Sequence, residues 1–196
     1  MITVSCGHAG SGRRRRRLRR GVRPRGSREE QRHDAITVRV DQPQPNDLIG
    51  DPLLVAGTGG GFEGTIDIRV LDGDGNVLLQ TFAQSTNLLS AWQTQIGLPD
   101  PPPTSRGVVE VAPSTGAEEP EARVSIPVFF GTAIAAGFRS YLLHVVQPGE
   151  TLSGIAASEP LFIGDGFEAI FEANRDIIAD PNLIHPGQVL RIPADI

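Results

Sequence analysis

Between residues 36 and 128 the chain repeats one pattern, in which short apolar and β-branched runs are each closed by Gly, Pro, Asn or Asp. In residues 65–70, for example, Ile66, Ile68 and Val70 alternate with polar residues, which places them on one face of a strand. The predicted strands are Ile36–Val40, Leu53–Gly57, Thr65–Leu71, Val77–Phe82, Trp92–Ile96, Val108–Ala112 and Ala122–Val128. Seven short strands separated by turns predict an all-β antiparallel sandwich.

Several sequence motifs of this region are typical of one protein family. They are Pro43–Asn46, Asp51–Gly57, Phe62–Thr65, the hairpin Val70–Val77 and the closing run Val124–Val128. On these residues the region 36–130 resembles the immunoglobulin-like domain of bacterial proteins associated with spore germination and sporulation. The resemblance implies an extracellular adhesive or ligand-binding domain, with a protein partner as one candidate.

Two motifs inside the predicted sandwich suggest other chemistry and are better explained by turns. Gly59–Gly64 fits G-x-G-x-x-G, but a strand follows it, whereas a dinucleotide loop requires a helix. Asp72–Asn76 lacks the Gly and Glu spacing of a calcium loop, so we expect a hairpin turn. Trp92 is expected to anchor the sandwich core.

The last part of the chain changes to a β-α-α-β pattern. The predicted elements are a strand at Tyr141–Val146, a helix capped by Thr151, a helix from Phe167 to about Asn174, and a strand at Val189–Ile192. Leu152, Ile155 and Ala156 form one apolar helical face at i, i+3 and i+4. Asp165 and Glu168 have capping-box spacing ahead of the second helix. Residues 131–140, small and apolar, are predicted to be a linker.

The sequence motifs of this module match those of a second protein family in order and spacing. They are the segment His144–Ala156, then Ile170–Asn174, Asp180–Ile184 and Pro186–Pro193. Because of these motifs, the region 141–193 resembles a LysM domain, a small non-catalytic module that binds the N-acetylglucosamine backbone of peptidoglycan or chitin. The link at Ala157–Gly166 is longer than usual, and this form resembles LysM domains of cytoplasmic stress-type proteins and of phage-tail-like assemblies.

The LysM resemblance also implies a glycan-binding groove between the strand–helix loop and the helix–strand loop. Its candidate residues are Gly149, Glu150, Thr151 and Leu152 on one side, and Ile177, Ile178, Asn182, Leu183 and Ile184 on the other. Backbone groups would hydrogen-bond the N-acetyl amide while apolar side chains pack on the sugar ring. The alternative is structural, since Leu152, Ile178 and Leu183 can complete a small core and Thr151 can act only as a helix cap.

Charge divides the chain at about residue 33. Residues 1–33 hold 11 Arg and two acids, whereas residues 34–196 hold 7 Arg and 21 acids. The Arg-rich stretch cannot form a core, so residues 1–33 are predicted to be a disordered tail. Three interpretations of these residues remain open. The first is a solvated tail, or a region included because of a wrong start codon. The second is an arm that binds nucleic acid or anionic lipid, and the third is a remnant of a lipoprotein signal around Cys6. The acidic remainder would repel nucleic acid, so any nucleic-acid contact would be left to the tail alone.

The remaining residues indicate a binding protein that is not an enzyme. We find no catalytic constellation, no metal site around His144 or His185, no cofactor motif, no membrane span and no visible export signal. The leading hypothesis is a multi-domain protein that associates with peptidoglycan or a related glycan in the cell envelope, with the sandwich as spacer or adhesion surface. The alternatives are a cytoplasmic or assembly scaffold whose LysM domain binds proteins, and a targeting accessory for a separate cell-wall hydrolase.

Overall fold

The computed structural model of the protein describes residues 38–87, 90–99, 101–114 and 123–196. The predicted tail, residues 1–33, lies outside them, as do the first two residues of the first predicted strand. Eight strands precede residue 131: β1 (Val38–Gln42), β2 (Asp47–Ile49), β3 (Leu53–Gly59), β4 (Thr65–Asp72), β5 (Val77–Gln84), β6 (Ala91–Ile96), β7 (Arg106–Pro113) and β8 (Val124–Phe130). Strand β2 was not predicted, because its three residues are too few to show alternation.

These strands form the two sheets of a sandwich. One sheet has the order β2-β8-β7-β4-β5, and the other has the order β1-β3-β6. The immunoglobulin-like, all-β prediction is confirmed, but the expectation of a wholly antiparallel sandwich is wrong at one edge. There β2 runs parallel to β8, with Asp47 opposite Val128.

The sandwich core follows from the alternation read in the sequence. Ile66, Ile68 and Val70 on β4 are fully buried between the sheets, with Val109 and Val111 of β7 beside them. Trp92 is 4% exposed and belongs to the same cluster, which confirms its predicted role as a core anchor. Gly57 is required on β3, because a Cβ there would lie 2.1 Å from the Arg39 carbonyl oxygen of β1 and 2.7 Å from the Trp92 ring of β6.

The two motifs set aside in the sequence are indeed turns. A single 3-10 turn, Phe62–Gly64, leads directly into β4, so no helix follows the glycine-rich run. In the β4–β5 hairpin the Asp72 carboxylate accepts hydrogen bonds from the Asp74 and Asn76 amides, at 2.9 and 2.8 Å, and from the Asn76 side chain. The Asn76 side-chain bond is the largest cause of a lowered Asp72 pKa. The carboxylate therefore stabilises its own turn.

The C-terminal module has the predicted β-α-α-β order. Its elements are β9 (Ser140–Val145), α2 (Leu152–Ser158), α3 (Phe167–Ala173) and β10 (Val189–Ala194), with β9 and β10 antiparallel. Leu152, Ile155, Ile170, Leu190 and Ile192 fill its core. The predicted capping box is wrong: the N-cap of α3 is Gly166, at φ 79°, with no side-chain cap bond. Asp165 lies one residue too early, because the left-handed Gly166 begins the helix.

The module packs directly on the sandwich. The segment predicted as a linker contains a short helix α1 (Gly131–Ile134) and the buried Phe138. Phe138 packs with Leu48, Phe129 and Ala173 in a small cluster that joins the two parts. Within residues 131–140, Gly131, Ala135 and Phe138 are buried, whereas Ala136, Gly137 and Arg139 are exposed.

Candidate functional site

A groove of about 200 Å³ opens between the β9–α2 turn and the loop after α3. It is lined by Glu150, Thr151, Leu152, Ser153, Phe167, Pro181, Asn182 and Ile184. Polar side chains at the start of α2 lie opposite apolar side chains of α3 and of the loop that follows it. The groove is smaller than the roughly 300–1,000 Å³ of a drug-sized ligand pocket, so it suits a single small ring better than an extended ligand.

The structure brings together five of the nine residues predicted for the site. Glu150, Thr151, Leu152, Asn182 and Ile184 line the groove. The other four are placed elsewhere: Gly149 forms the turn that precedes it, at φ 87°, and Ile177 and Leu183 are exposed outside its wall. Ile178 is 1% exposed and belongs to the module core, as the structural alternative for this residue anticipated.

Three lining residues were not anticipated from the sequence. Ser153 follows the cap residue by two positions, and its hydroxyl lies 3.2 Å from the Thr151 hydroxyl. Phe167 is the first residue of α3, and Pro181 precedes the predicted Asn182. The i, i+2 spacing of Thr151 and Ser153 was a usable signal. Phe167 and Pro181 carried none, because their position depends on how α3 folds back over α2.

The α2 side of the groove is fixed by a chain of hydrogen bonds. The Thr151 hydroxyl accepts the Gly154 amide at 3.1 Å, which makes Thr151 the N-cap of α2. One residue earlier, the Glu150 carboxylate accepts the Gln147 amide at 2.7 Å and lies 2.7 Å from Nε2 of His144. The Gln147 amide first, and the His144 side chain next, lower the pKa of Glu150. An anionic Glu150 therefore lies at the groove edge.

The α3 side is anchored by Asn174, which is fully buried. Its Nδ2 donates to the carbonyls of Ile170 and Arg191, and its Oδ1 accepts the Arg191 amide at 2.9 Å. The side chain thus joins the end of α3 to β10. The loop that follows it, carrying Asn182 and Ile184, starts from a fixed point.

The groove lies at the end of the module that is remote from the sandwich. In the β9–β10 ladder, Val145 is opposite Val189 at one end and Ser140 is opposite Ala194 at the other. The β9–α2 turn leaves from the Val145 end, whereas Tyr141 at the other end belongs to the cluster that contacts the sandwich. The groove is consequently open to solvent and is not covered by the sandwich.

Within the part of the chain that the structure describes, no helix is long and apolar enough to cross a bilayer. Among the same residues, no three or more His, Cys, Asp or Glu side chains cluster in a way that could hold a metal ion.

Comparison with known proteins finds two family matches along the chain. Residues 37–117 match the family described as the immunoglobulin-like domain of bacterial spore germination, and residues 144–193 match the LysM domain family. The potassium binding protein Kbp of Escherichia coli O6:H1 is 40% identical over 52 residues, which are 26% of this chain and 34% of that protein. The chain thus spans about a third of that relative's length. No solved structure gives a significant match.

Both matched families are non-catalytic binding domains that are typical of cell-envelope proteins, and a LysM domain implies binding of N-acetylglucosamine-containing glycan. The first matched range covers β1 to β7 of the sandwich and ends before β8, and the second covers most of the module that carries the groove. The chain therefore combines an immunoglobulin-like domain of the bacterial spore germination family with a LysM domain that follows it.

Proposed function

We propose that the protein is a non-catalytic cell-envelope protein that binds peptidoglycan, or a related N-acetylglucosamine-containing glycan, through the groove on its LysM domain. The observation that carries this proposal is the groove itself, in which Thr151, Ser153 and Asn182 present polar groups beside Phe167 and Ile184. Polar groups that orient a ligand beside a small apolar patch are the usual composition of a sugar site. The immunoglobulin-like domain then serves as a spacer or an adhesion surface.

A single small groove predicts weak binding to one glycan unit. Useful attachment to a polymer then comes from several copies of the protein binding along one strand, because linked sites raise the effective concentration of each other. This expectation favours insoluble peptidoglycan over a short soluble oligosaccharide as the first ligand to test.

The test is sedimentation of the full chain with purified insoluble peptidoglycan. Ser153→Arg places a long side chain in the groove and removes the Ser153 hydroxyl beside Thr151, but it keeps the cap bond from the Gly154 amide to the Thr151 hydroxyl. Ser158→Arg makes the same change at the far end of α2. The full chain is used because the LysM domain shares a buried cluster with the sandwich. We expect wild type and Ser158→Arg in the pellet and Ser153→Arg in solution.

Two outcomes would contradict the proposal. If wild type stays in solution, the scaffold that binds proteins through its LysM domain becomes the better explanation. If wild type and Ser153→Arg both sediment, and a soluble N-acetylglucosamine oligomer does not compete, binding does not use this groove. Hydrolase activity that appears only when a second protein co-purifies would favour the targeting accessory.

A further inference from the structure

A larger cleft lies outside the LysM groove, on the outer face of the five-stranded sheet beside the LysM domain. It has a volume of about 540 Å³, within the roughly 300–1,000 Å³ of sites that bind small molecules. Its lining comes mainly from β4, β7 and β8, with Asp176 contributed by the LysM domain. Junctions between domains are preferred places for ligand sites.

The floor of the cleft is an apolar row that crosses three strands. Leu71 on β4 is opposite Val108 on β7, and Val108 is opposite Pro127 on β8. None of the three is buried, so the row is accessible to a ligand. Residues that alternate with them, Val109 and Val70 among others, fill the core on the other face of the sheet.

Most charged groups in the lining already have partners. The Asp72 carboxylate is held by its own turn, Asp176 pairs with Arg191, and Glu110 lies 3.3 Å from Arg69. Arg106 differs from these three. Its guanidinium lies over the Phe129 ring, 5.3 Å from the centroid, and has no hydrogen-bond or ion-pair partner among the described residues.

Two uncharged polar side chains reach the same cleft. The Asn46 amide and the Ser125 hydroxyl both line it, and neither has a side-chain hydrogen bond within the residues that the structure describes. The guanidinium of Arg106, the amide of Asn46 and the hydroxyl of Ser125 therefore surround an apolar floor. This is the pattern of a specific small-ligand site, in which a few polar groups orient an apolar body.

The charges define the ligand further. A guanidinium fork matches a carboxylate with two parallel hydrogen bonds. The three carboxylates around the cleft repel a ligand with a second negative charge, which disfavours a phosphate. The amide and hydroxyl complement the N–H and C=O groups of a peptide.

We infer that this cleft is a second binding site, which takes the free C-terminal carboxylate of a short peptide that has no other charged group and holds it through Arg106. Leu71, Val108 and Pro127 contact the small side chains of the peptide, while Ser125 and Asn46 bond its amide groups. The site is separate from the glycan groove and does not depend on glycan binding.

The experiment titrates the full chain with N-acetyl-alanyl-alanine, with the C-terminal amide of the same dipeptide, and with inorganic phosphate, using amide chemical shifts as the readout. We expect saturable shifts around the cleft with the free acid, at least about tenfold tighter than with the amide, since the carboxylate makes the charge-assisted bonds. Phosphate should bind more weakly than the free acid.

Arg106→Gln should weaken the free acid about tenfold, and Arg106→Lys should give a smaller loss because it keeps the charge without the fork. Arg39→Gln, a change at an exposed arginine of the other sheet, should have no effect. Equal affinity for acid and amide, absence of saturable shifts in wild type, or unchanged binding in folded Arg106→Gln and Arg106→Lys would each overturn the inference. Failure of the peptidoglycan sedimentation would leave these results unaffected.

Discussion

At the scale of single residues, Glu150 links the LysM fold to pH. Its folded-state pKa is lowered, first by the Gln147 amide and then by His144. Because this pKa lies below the ordinary value of 4.5, the stabilisation is complete above that value and is lost as pH falls through the folded-state pKa. The group therefore contributes stability at neutral pH and none in strong acid.

Glu150→Gln tests this expectation. The variant should unfold at a lower urea concentration than wild type at about pH 6, and the difference should shrink as pH falls below 4.5 and through the lowered folded-state pKa of the wild-type carboxyl. Glu168→Gln, at an exposed carboxylate in the first turn of α3, is the control. A difference between wild type and Glu150→Gln that is constant across this range would show that the contacts of Glu150 do not depend on its charge.

Asn174 is the buried polar residue on which the groove loop depends. Asn174→Ala leaves the amide and carbonyl of Arg191 without the side-chain partner they have in wild type. An orphaned buried polar group costs about 1–3 kcal/mol, so we expect a loss of about 3 kcal/mol in the free energy of unfolding. Circular dichroism during urea unfolding measures it, with the exposed Gln95→Ala as control. A loss no larger than that of Gln95→Ala would show that water replaces the side chain.

The sequence was enough to place some residues at the groove but not others. Glu150, Thr151 and Asn182 could be placed at the groove because they stand in loops whose order the LysM pattern defines. Ile178 could not be separated from its exposed neighbour Ile177, since the segment is irregular and has no periodicity to show which side chain turns inward. Phe167 stands at the start of a predicted helix, where its side chain fits either the core or the groove.

At the scale of elements, α2 depends on its first residue. Thr151 accepts the Gly154 amide, and the helix has only seven residues, so one unsatisfied amide is a large share of its hydrogen bonding. We expect Thr151→Ala to destabilise the protein by about 1 kcal/mol, and Thr151→Ser to retain most of the stability, because serine caps equally well. Thermal unfolding of the three proteins gives the comparison. Equal melting temperatures for all three would contradict a capping role.

The same scale shows what local patterns predict. Alternation predicted the long strand β4, because one of its faces is buried and the other is not. It missed β2, whose pairing with β8 is a long-range contact. The capping box at Asp165 had the correct spacing but the wrong register, because the positive φ of Gly166 moved the start of α3 by one residue.

At the scale of the whole molecule, Arg191 connects the two domains. Its guanidinium pairs with Asp176, donates to the Asn46 carbonyl of the sandwich, and lies over the Phe129 ring. Asn46 and Arg191 are 145 residues apart in the chain, so nothing in the local sequence indicates that they meet. The small apolar residues between 131 and 140 suggested a linker, whereas the buried Phe138 fills the junction.

These contacts predict that the LysM domain keeps a fixed orientation on the sandwich, with its groove directed outward. Wild type should then tumble as one body, giving the same rotational correlation time from 15N relaxation in both domains. Arg191→Met keeps most of the side-chain length but removes the ion pair and the hydrogen bonds, so the LysM residues should show a shorter correlation time than the sandwich. Arg39→Met, which removes an exposed ion pair with Asp41, should leave the two values equal. Different correlation times in wild type itself would mean that the junction is too weak to hold the groove in place, and glycan bound there could then reorient freely with respect to the immunoglobulin-like domain.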